Sequence, residues 1–405
     1  MADKMADVYE KYDIEVLATK RGRGATIIDA KEGVFIVEPF RGSIGRLEAE
    51  YVLKTLFEQE GFGDIDMLLL NKEGDLLTYD RYHQPFVLKK YFAGEECDMH
   101  NLADMILAVE KLADLHLAGQ RVSSVFDAEW ERTKNEKRQN QYKEIKEALR
   151  EGTELDNLAR IYAMTPAGIK EFIKEMETPE CMDCKEERGT AAKQEVIACE
   201  NEMDRMRKNL YRKNRELGKI KKYVKKVKRK NQFEELFLKT FDDYYEMGLN
   251  CEKTLLDEKN TQDHSGKSEM PLHYGVCHGN YNQHNVLMDG KQVSVVHFEK
   301  FTRGNQLDDL YQFTRKAMEK NHFDYEMLEL ILGAYSKKIA LDKNDYRYMY
   351  ILFSYPEKFW KIANGYYNSN KAFLSPKYLE KLLMLIEQEK EKNEMLEQYY
   401  AFHLC

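Results

Sequence analysis

Proline is scarce in this chain, with seven residues in 405, while 33% of side chains are charged. So few helix breakers among so many charges point to a helix-rich architecture. Long apolar runs are missing too: nothing approaches the roughly 18 consecutive residues of a membrane span, and Met1 to Lys20 is charged throughout. Neither an anchor nor a signal peptide is therefore expected, and synthesis is expected to be cytoplasmic. The cysteines number seven, an odd count without an export signal, which implies free thiols in a reducing compartment. Cys181-Met182-Asp183-Cys184 lacks a second Cys or His pair to complete a zinc site, so it reads as a loop. Neither sign of charge dominates, since 63 Lys and Arg stand against 71 Asp and Glu for a net −8, which alone implies only a soluble protein. The length suits two or three packed units at roughly 150 residues each.

Strands and turns alternate from Ile14 to Phe92. Thr26-Ile27-Ile28 and Val34-Phe35-Ile36-Val37 read as paired strands, and the turn carrying Gly22 and Gly24 reads as a hairpin or as a backbone cradle for phosphate. A helix is expected from Ile44 to Gln59, with Leu47, Tyr51, Leu53, Leu56 and Phe57 inward. Phe86 to Phe92 is a further strand, running into a hinge at Ala93-Gly94-Glu95-Glu96. Met99 to Gly119 forms an amphipathic helix in which His116 is a core or surface residue rather than a ligand. A charged helical insertion then covers 127–231, with a polar helix over 129–150 and an apolar one over 155–176.

From Ala191 one long helix is expected. Met203, Met206, Leu210, Leu217, Ile220, Val224 and Val227 form an apolar seam along it, interrupted by Lys213. Residues 205–230 hold 14 Lys or Arg and one acid, Glu216, for a local +13, leaving −8 − 13 = −21 on the rest of the chain. The helix is either an arm packed on its own acidic protein or a docking face for an anionic polymer, with Arg205, Arg212, Lys219, Lys222, Lys226 and Arg229 as contacts. Without interleaved aromatics, sequence-specific nucleic-acid reading is not expected. Helices return from Gln306 and from Tyr325 to Tyr400.

The chemistry-bearing stretch is His278-Gly279-Asn280-Tyr281-Asn282-Gln283-His284-Asn285, followed by His297-Phe298-Glu299. Its spacing resembles the catalytic loop and metal-binding strand of aminoglycoside and choline phosphotransferases, His-Gly-Asp-x-x-x-x-Asn and then an apolar strand ending in Asp. The resemblance implies ATP and Mg²⁺ as cofactors, with His278 and Asp309 holding the loop. Two acids of that pattern are replaced. Asn280 stands in the general-base slot, where losing base assistance costs about 10²- to 10⁴-fold. His297 stands in the metal slot, and its nitrogen matches Mg²⁺ poorly. Asn285 still offers an oxygen, and Glu299 shares a face with His297 if strand alternation continues, so it is a substitute ligand. Glu38 falls near the slot of the phosphate-pairing lysine, leaving Lys89 or Lys31 to replace it. Cys277 and His278, being adjacent, point apart and do not build a transition-metal site.

A wider set of segments sharpens the resemblance: Arg21-Gly22-Arg23-Gly24-Ala25, Phe40-Arg41-Gly42-Ser43, Gly94-Glu95-Glu96-Cys97-Asp98, the loop itself, Asp309-Leu310-Tyr311-Gln312-Phe313, and Tyr355-Pro356-Glu357-Lys358-Phe359-Trp360. In this order they resemble the CotS family of spore coat proteins, over about 300 residues. The resemblance implies an α+β, two-lobed protein-kinase-like (aminoglycoside phosphotransferase-like) fold with a long helical insertion. Its expected parts are an amino-terminal lobe (1–93), a hinge and first helix (94–126), the insertion with its basic arm (127–232) and a carboxy-terminal lobe (233–405). It also implies a place in the spore coat, with other coat proteins as partners. With Asn280 in the base slot, the expectation is a pseudokinase acting as a binding or scaffold component. The rival is an active phosphotransferase that holds its metal through Asn285 and Glu299.

Overall fold

The computed structural model describes residues 5–22, 24–162, 164–177, 191–262, 273–368 and 376–405, with side chains in all of these but 191–204 and 257–262. A short helix, α1 (Ala6–Tyr9), precedes an antiparallel sheet. Strands β1 (Val16–Arg21), β2 (Thr26–Ala30) and β3 (Gly33–Pro39) pair in succession. After α2 (Ile44–Gln59) come β4 (Leu68–Leu69), β5 (Thr78–Tyr79) and β6 (Pro85–Lys90), giving the order β1-β2-β3-β6-β4 with β5 also on β6. Alternate residues Ile28 and Ala30, Phe35 and Val37, and Phe86 and Leu88 enter one core with Val8 and Tyr12. α2 buries Leu47, Leu53, Leu56 and Phe57, as its spacing predicts, but it also carries Glu50 and Lys54 inward.

After β7 (Glu95–Glu96) the chain enters α3 (Leu102–Arg150), one helix of 49 residues where the sequence suggests an end at Gly119 and a new start near 129. Gly119 does not terminate the helix. A Cβ there would stand 2.7 Å from the Val276 carbonyl oxygen, so glycine lets α3 pass close to β8 (Tyr274–Cys277). Residues 123–194 form one compact unit, and 1–122 with 195–405 form another. In the smaller unit, α4 (Leu155–Ile161) and α5 (Pro166–Glu177) pack Leu158, Ile169 and Phe172 with Ile145. The single apolar helix expected over 155–176 is broken at Pro166, which disfavours helical backbone in the residue before it. The Cys181–Cys184 pair lies outside the described residues.

This division differs from the expected insertion of 127–232. From Glu195 onward, α6 (Ala191–Lys226) belongs to the larger unit, where Leu217, Ile220 and Val224 share a core with Phe233, Phe237 and Phe241 of α7 (Gln232–Gln262). Lys213 interrupts the seam because it is buried in an ion pair with Glu357 at 2.6 Å. α7 continues past the expected end at Tyr245 because Cys251 and Leu255 extend its buried stripe.

In the segment from 273 onward, β8 pairs with β11 (Thr302–Asn305), while β9 (Val286–Asp289) lies between β10 (Gln292–Val295) and β7. Helices α8 (Leu307–Lys320), α9 (Tyr325–Ser336), α10 (Lys343–Ser354), α11 (Glu357–Asn368), α12 (Lys377–Glu387) and α13 (Glu389–His403) complete the lobe. The Asp324 side chain caps α9 by accepting from Met327 N, and Asp342 and Asp345 form a reciprocal box at α10. Among the described residues, no helix is long and apolar enough to cross a membrane.

Candidate active site

The loop between β8 and β9 is held by α8. Asp309, in the first turn of that helix, accepts from the backbone N–H of His278 at 2.6 Å and of Gly279 at 3.0 Å. The His278 ring, fully buried, donates through Nε2 to the Val296 carbonyl at 3.0 Å and accepts at Nδ1 from Asn280 N at 3.2 Å. That pairing requires a neutral ring with its proton on Nε2, and burial pushes the imidazole pKa down to match. Gly279 takes φ +74°, and a Cβ there would lie 2.0 Å from the Lys300 carbonyl oxygen. The loop is therefore clamped against the turn that follows β10. Asn280 lends its carbonyl to Asn282 Nδ2 at 2.6 Å and to Asn285 Nδ2 at 2.9 Å. His116 stands behind Asp309, with Nε2 3.6 Å from Asp309 Oδ2 and Nδ1 bonded to the Tyr335 hydroxyl at 2.7 Å. Burial lowers its pKa, so it too is a neutral spacer in the core.

His297 is reached by a turn, not by strand alternation. β10 ends at Val295, His297 sits in left-handed backbone (φ 67°, ψ 61°), and a 3-10 turn follows over Phe298–Lys300. A non-glycine residue holds this conformation only when its neighbours fix it. Here Asp66 accepts from His297 N at 3.1 Å, and the segment carrying Asp66 runs beside β10 through a parallel bridge of Ile65 to Val295. The shared face expected for 297 and 299 thus arises by another route, with His297 Nδ1 3.3 Å from Glu299 Oε1. Glu299 raises the His297 pKa. Arg46 of α2 fixes the same turn by donating to Glu299 O at 3.0 Å and by lying over the Phe301 ring at 3.9 Å.

Lys89 is the centre of charge in the cleft. Opposite Ile36 in the β3–β6 register, its buried ammonium lies 2.8 Å from Glu299 Oε1, 3.5 Å from Glu38 Oε2 and 3.7 Å from Asp66 Oδ2. Burial alone would lower its pKa, but Asp66, Glu299, Glu50 and Glu38 together raise it. Beneath it Lys54 bridges Glu50 and Asp66, both at 2.6 Å. Burial pushes the Glu50 carboxyl up, whereas for Asp66 the two lysines outweigh burial and hold it down. Burial would also raise Glu299, but the His297 hydrogen bond and Lys89 hold it well below the carboxylate range.

The structure thus brings His278, Asn280, Asn285, His297, Glu299, Asp309 and Lys89 to one cleft. Lys31 is elsewhere, on a hairpin turn and paired with Glu15 at 2.6 Å. Gly22 and Gly24 close the β1–β2 hairpin, where the Gly22 N–H already donates to Ala25 O at 2.9 Å. Asp66, Lys54, Glu50 and His116 escaped sequence reasoning as site residues. A Glu-x-x-x-Lys pair inside an apolar helical stripe was the available signal for two of them, while nothing around Asp66 marks it. The donor set suits a magnesium nucleotide poorly. Asn285 Oδ1 is a neutral oxygen, the metal slot offers imidazole, and Glu299 is already engaged by Lys89 and the His297 ring. Among the described residues, no three His, Cys, Asp or Glu side chains are grouped to hold a metal ion.

The six cationic candidates, five on α6 and Arg229 just beyond its end, divide. Arg205 lies 3.8 Å from Asp308 Oδ2, and Arg212 pairs with Glu216 at 2.6 Å. Lys219, Lys222, Lys226 and Arg229 are exposed, and no hydrogen bond or ion pair engages them among the described residues.

Among solved structures, the aminoglycoside phosphotransferase of Alicyclobacillus acidocaldarius aligns at TM-score 0.65 and 12% identity, over 97% of this chain and 94% of that one. Spectinomycin phosphotransferase APH(9)-Ia, solved with ADP and spectinomycin, aligns at TM-score 0.51 and 12% identity, over 97% and 95%. The fold is accordingly the expected α+β, two-lobed phosphotransferase-like one. No curated protein sequence matches the chain. Residues 183–399, just over half the chain, match the family described as "Spore coat putative kinase YutH", and the chain belongs to that family of kinase-like spore coat proteins.

Proposed function

We propose that this protein is a pseudokinase of the spore coat, one that keeps the kinase scaffold, has lost phosphoryl transfer and works by binding other coat components. The observation that carries this reading is the closed charge network at Lys89. Phosphoryl transfer needs a cation directed at the nucleotide phosphates, an acid on Mg²⁺ and a group that takes the acceptor's proton. Here the buried cation is surrounded by Glu299, Glu38 and Asp66, and the acid nearest the metal slot is the one bonded to it. The amide of Asn280 is no base at neutral pH. Each requirement is met by a group already committed elsewhere or by one of the wrong chemistry, while the bonds that shape the loop from His278 and Asp309 are intact.

The binding role rests on α6. Arg215, Lys219, Lys222 and Lys226 recur at steps of four, three and four, so they form one stripe opposite the buried Leu217, Ile220 and Val224. A fixed row of unpaired cations suits an acidic coat protein or an anionic polymer. The reading is tested by ATP consumption with Mg²⁺ and a panel of hydroxyl acceptors. Consumption at the buffer background is expected. Turnover that disappears in Glu299→Gln would instead support an active phosphotransferase using Glu299 as its metal ligand.

A further inference from the structure

A second site lies in the carboxy-terminal lobe. A cavity of about 340 Å³ opens between α7, α8, α10 and the start of α13, and no residue of the loop 278–285 lines it. Its size falls in the range of small-molecule sites, and its walls are mostly apolar, among them Met247, Phe323, Phe353 and Leu396. One cation of the lining has no adequate partner. Gln388, Lys392 and Leu396 line it at successive helical turns, and no hydrogen bond or ion pair engages the Lys392 ammonium among the described residues. Structures seldom leave such a group unsatisfied, and when they do a ligand or ion is one of the usual reasons.

The sign of the ligand follows from the charges. The lining acids are Glu319, Glu357 and Glu389. Glu319 is bonded by Arg315 and lies 3.6 Å from Lys358, Glu357 is held by Lys213 at 2.6 Å and Lys361 at 3.3 Å, and Glu389 accepts from the Tyr244 hydroxyl at 2.9 Å. Each lining acid is thus engaged, and of the three lining cations, Arg315, Lys358 and Lys392, only the Lys392 ammonium is left without an ion pair or hydrogen bond among the described residues. Burial already pushes the Lys392 ammonium down to about 8, despite the pull of Cys251, Glu319 and Glu389.

We propose that this cavity binds a small amphipathic carboxylate, its apolar body against Phe353 and Leu396 and its anion on Lys392. The inference is independent of the pseudokinase reading, since no group of the cleft takes part. Isothermal calorimetry with N-acetyl-L-phenylalanine and its uncharged amide, N-acetyl-L-phenylalaninamide, tests it on the full chain. The acid should bind the wild type at least about tenfold more tightly than the amide, the size of effect a hydrogen bond to a charged group gives. Lys392→Met should erase that preference without lowering Tm, because it removes an unpaired cation from an apolar site. Leu396→Trp, which fills the cavity, should abolish binding of both probes while the fold is retained. Equal affinity of the two probes for the wild type, absence of saturable binding, or an unchanged preference in Lys392→Met would overturn the proposal.

Discussion

The cleft around Lys89 and helix α6 both concentrate charge, and they treat it in opposite ways. In the cleft Lys54 and Lys89 are buried among Glu50, Asp66, Glu38 and Glu299, each charge answered within a few ångströms by another from the same chain. On α6 the apolar seam is buried, and Lys219, Lys222 and Lys226, with Arg229 just beyond the helix, face solvent without a hydrogen bond or ion pair among the described residues. A charge paired inside the fold is costly to leave uncompensated and has little left for a ligand, whereas one left in solvent costs little and remains available to a partner. The contrast separates a site that has closed on itself from a surface that has stayed open.

The sharpest way to break that contrast is to remove one charge from each region. Lys89→Met leaves three carboxylates around an apolar tip and should lower the urea-unfolding free energy by about 3–5 kcal/mol, as loss of one partner from a buried network does. Lys222→Met should change it by no more than about 0.5 kcal/mol. Equal costs would show that the network at Lys89 is not a real structural unit.

The open surface is tested by changing Arg215, Lys219, Lys222, Lys226 and Arg229 together to Gln. Stability should stay within about 1 kcal/mol of the wild type, since these are surface positions. Heparin, used as a polyanion probe, should bind the wild type roughly tenfold or more weakly at 200 mM than at 50 mM salt, and the variant should lose most of that slope. A variant that binds like the wild type would remove α6 from the account.

The smallest effect concerns His297. Its pKa is raised above the ordinary imidazole value of 6.5, chiefly by the Glu299 hydrogen bond, and that of Glu299 is lowered from the usual 4.5. The imidazolium therefore contributes stability below pH 6.5 that is lost as pH rises through its raised folded value. The carboxylate contributes stability above pH 4.5 that is lost as pH falls. The pair helps most between these limits, by no more than about 1 kcal/mol because both side chains are half-exposed. In an NMR titration Glu299→Gln should move the His297 midpoint downward; an unmoved midpoint would mean that the pair does not form.

Much of this was legible in the residues. The helix over Ile44–Gln59 announces itself through periodic apolar positions, and the His278, Asn285 and Asp309 spacing is that of a phosphotransferase loop. The contents of the cleft were harder to read, because the partners of Lys89 come from positions 38, 66 and 299, and no local pattern brings such distant segments together. Gly119 misled for the opposite reason. Glycine ordinarily reads as a helix end, but here a close backbone neighbour, Val276, requires it in mid-helix. The face shared by His297 and Glu299 was reached through the wrong local geometry, since a left-handed residue at 297 replaces the strand.

The central claim is that the cleft has closed to magnesium nucleotide, and thermal shift measures it most directly. The wild type and Asn280→Asp/His297→Asp would each be melted alone, with ATP, and with ATP plus Mg²⁺. The account predicts no change in the wild-type Tm under any of these conditions, and a rise confined to the double variant would locate the loss at those two positions. A Mg²⁺-dependent rise of the wild-type Tm would contradict it.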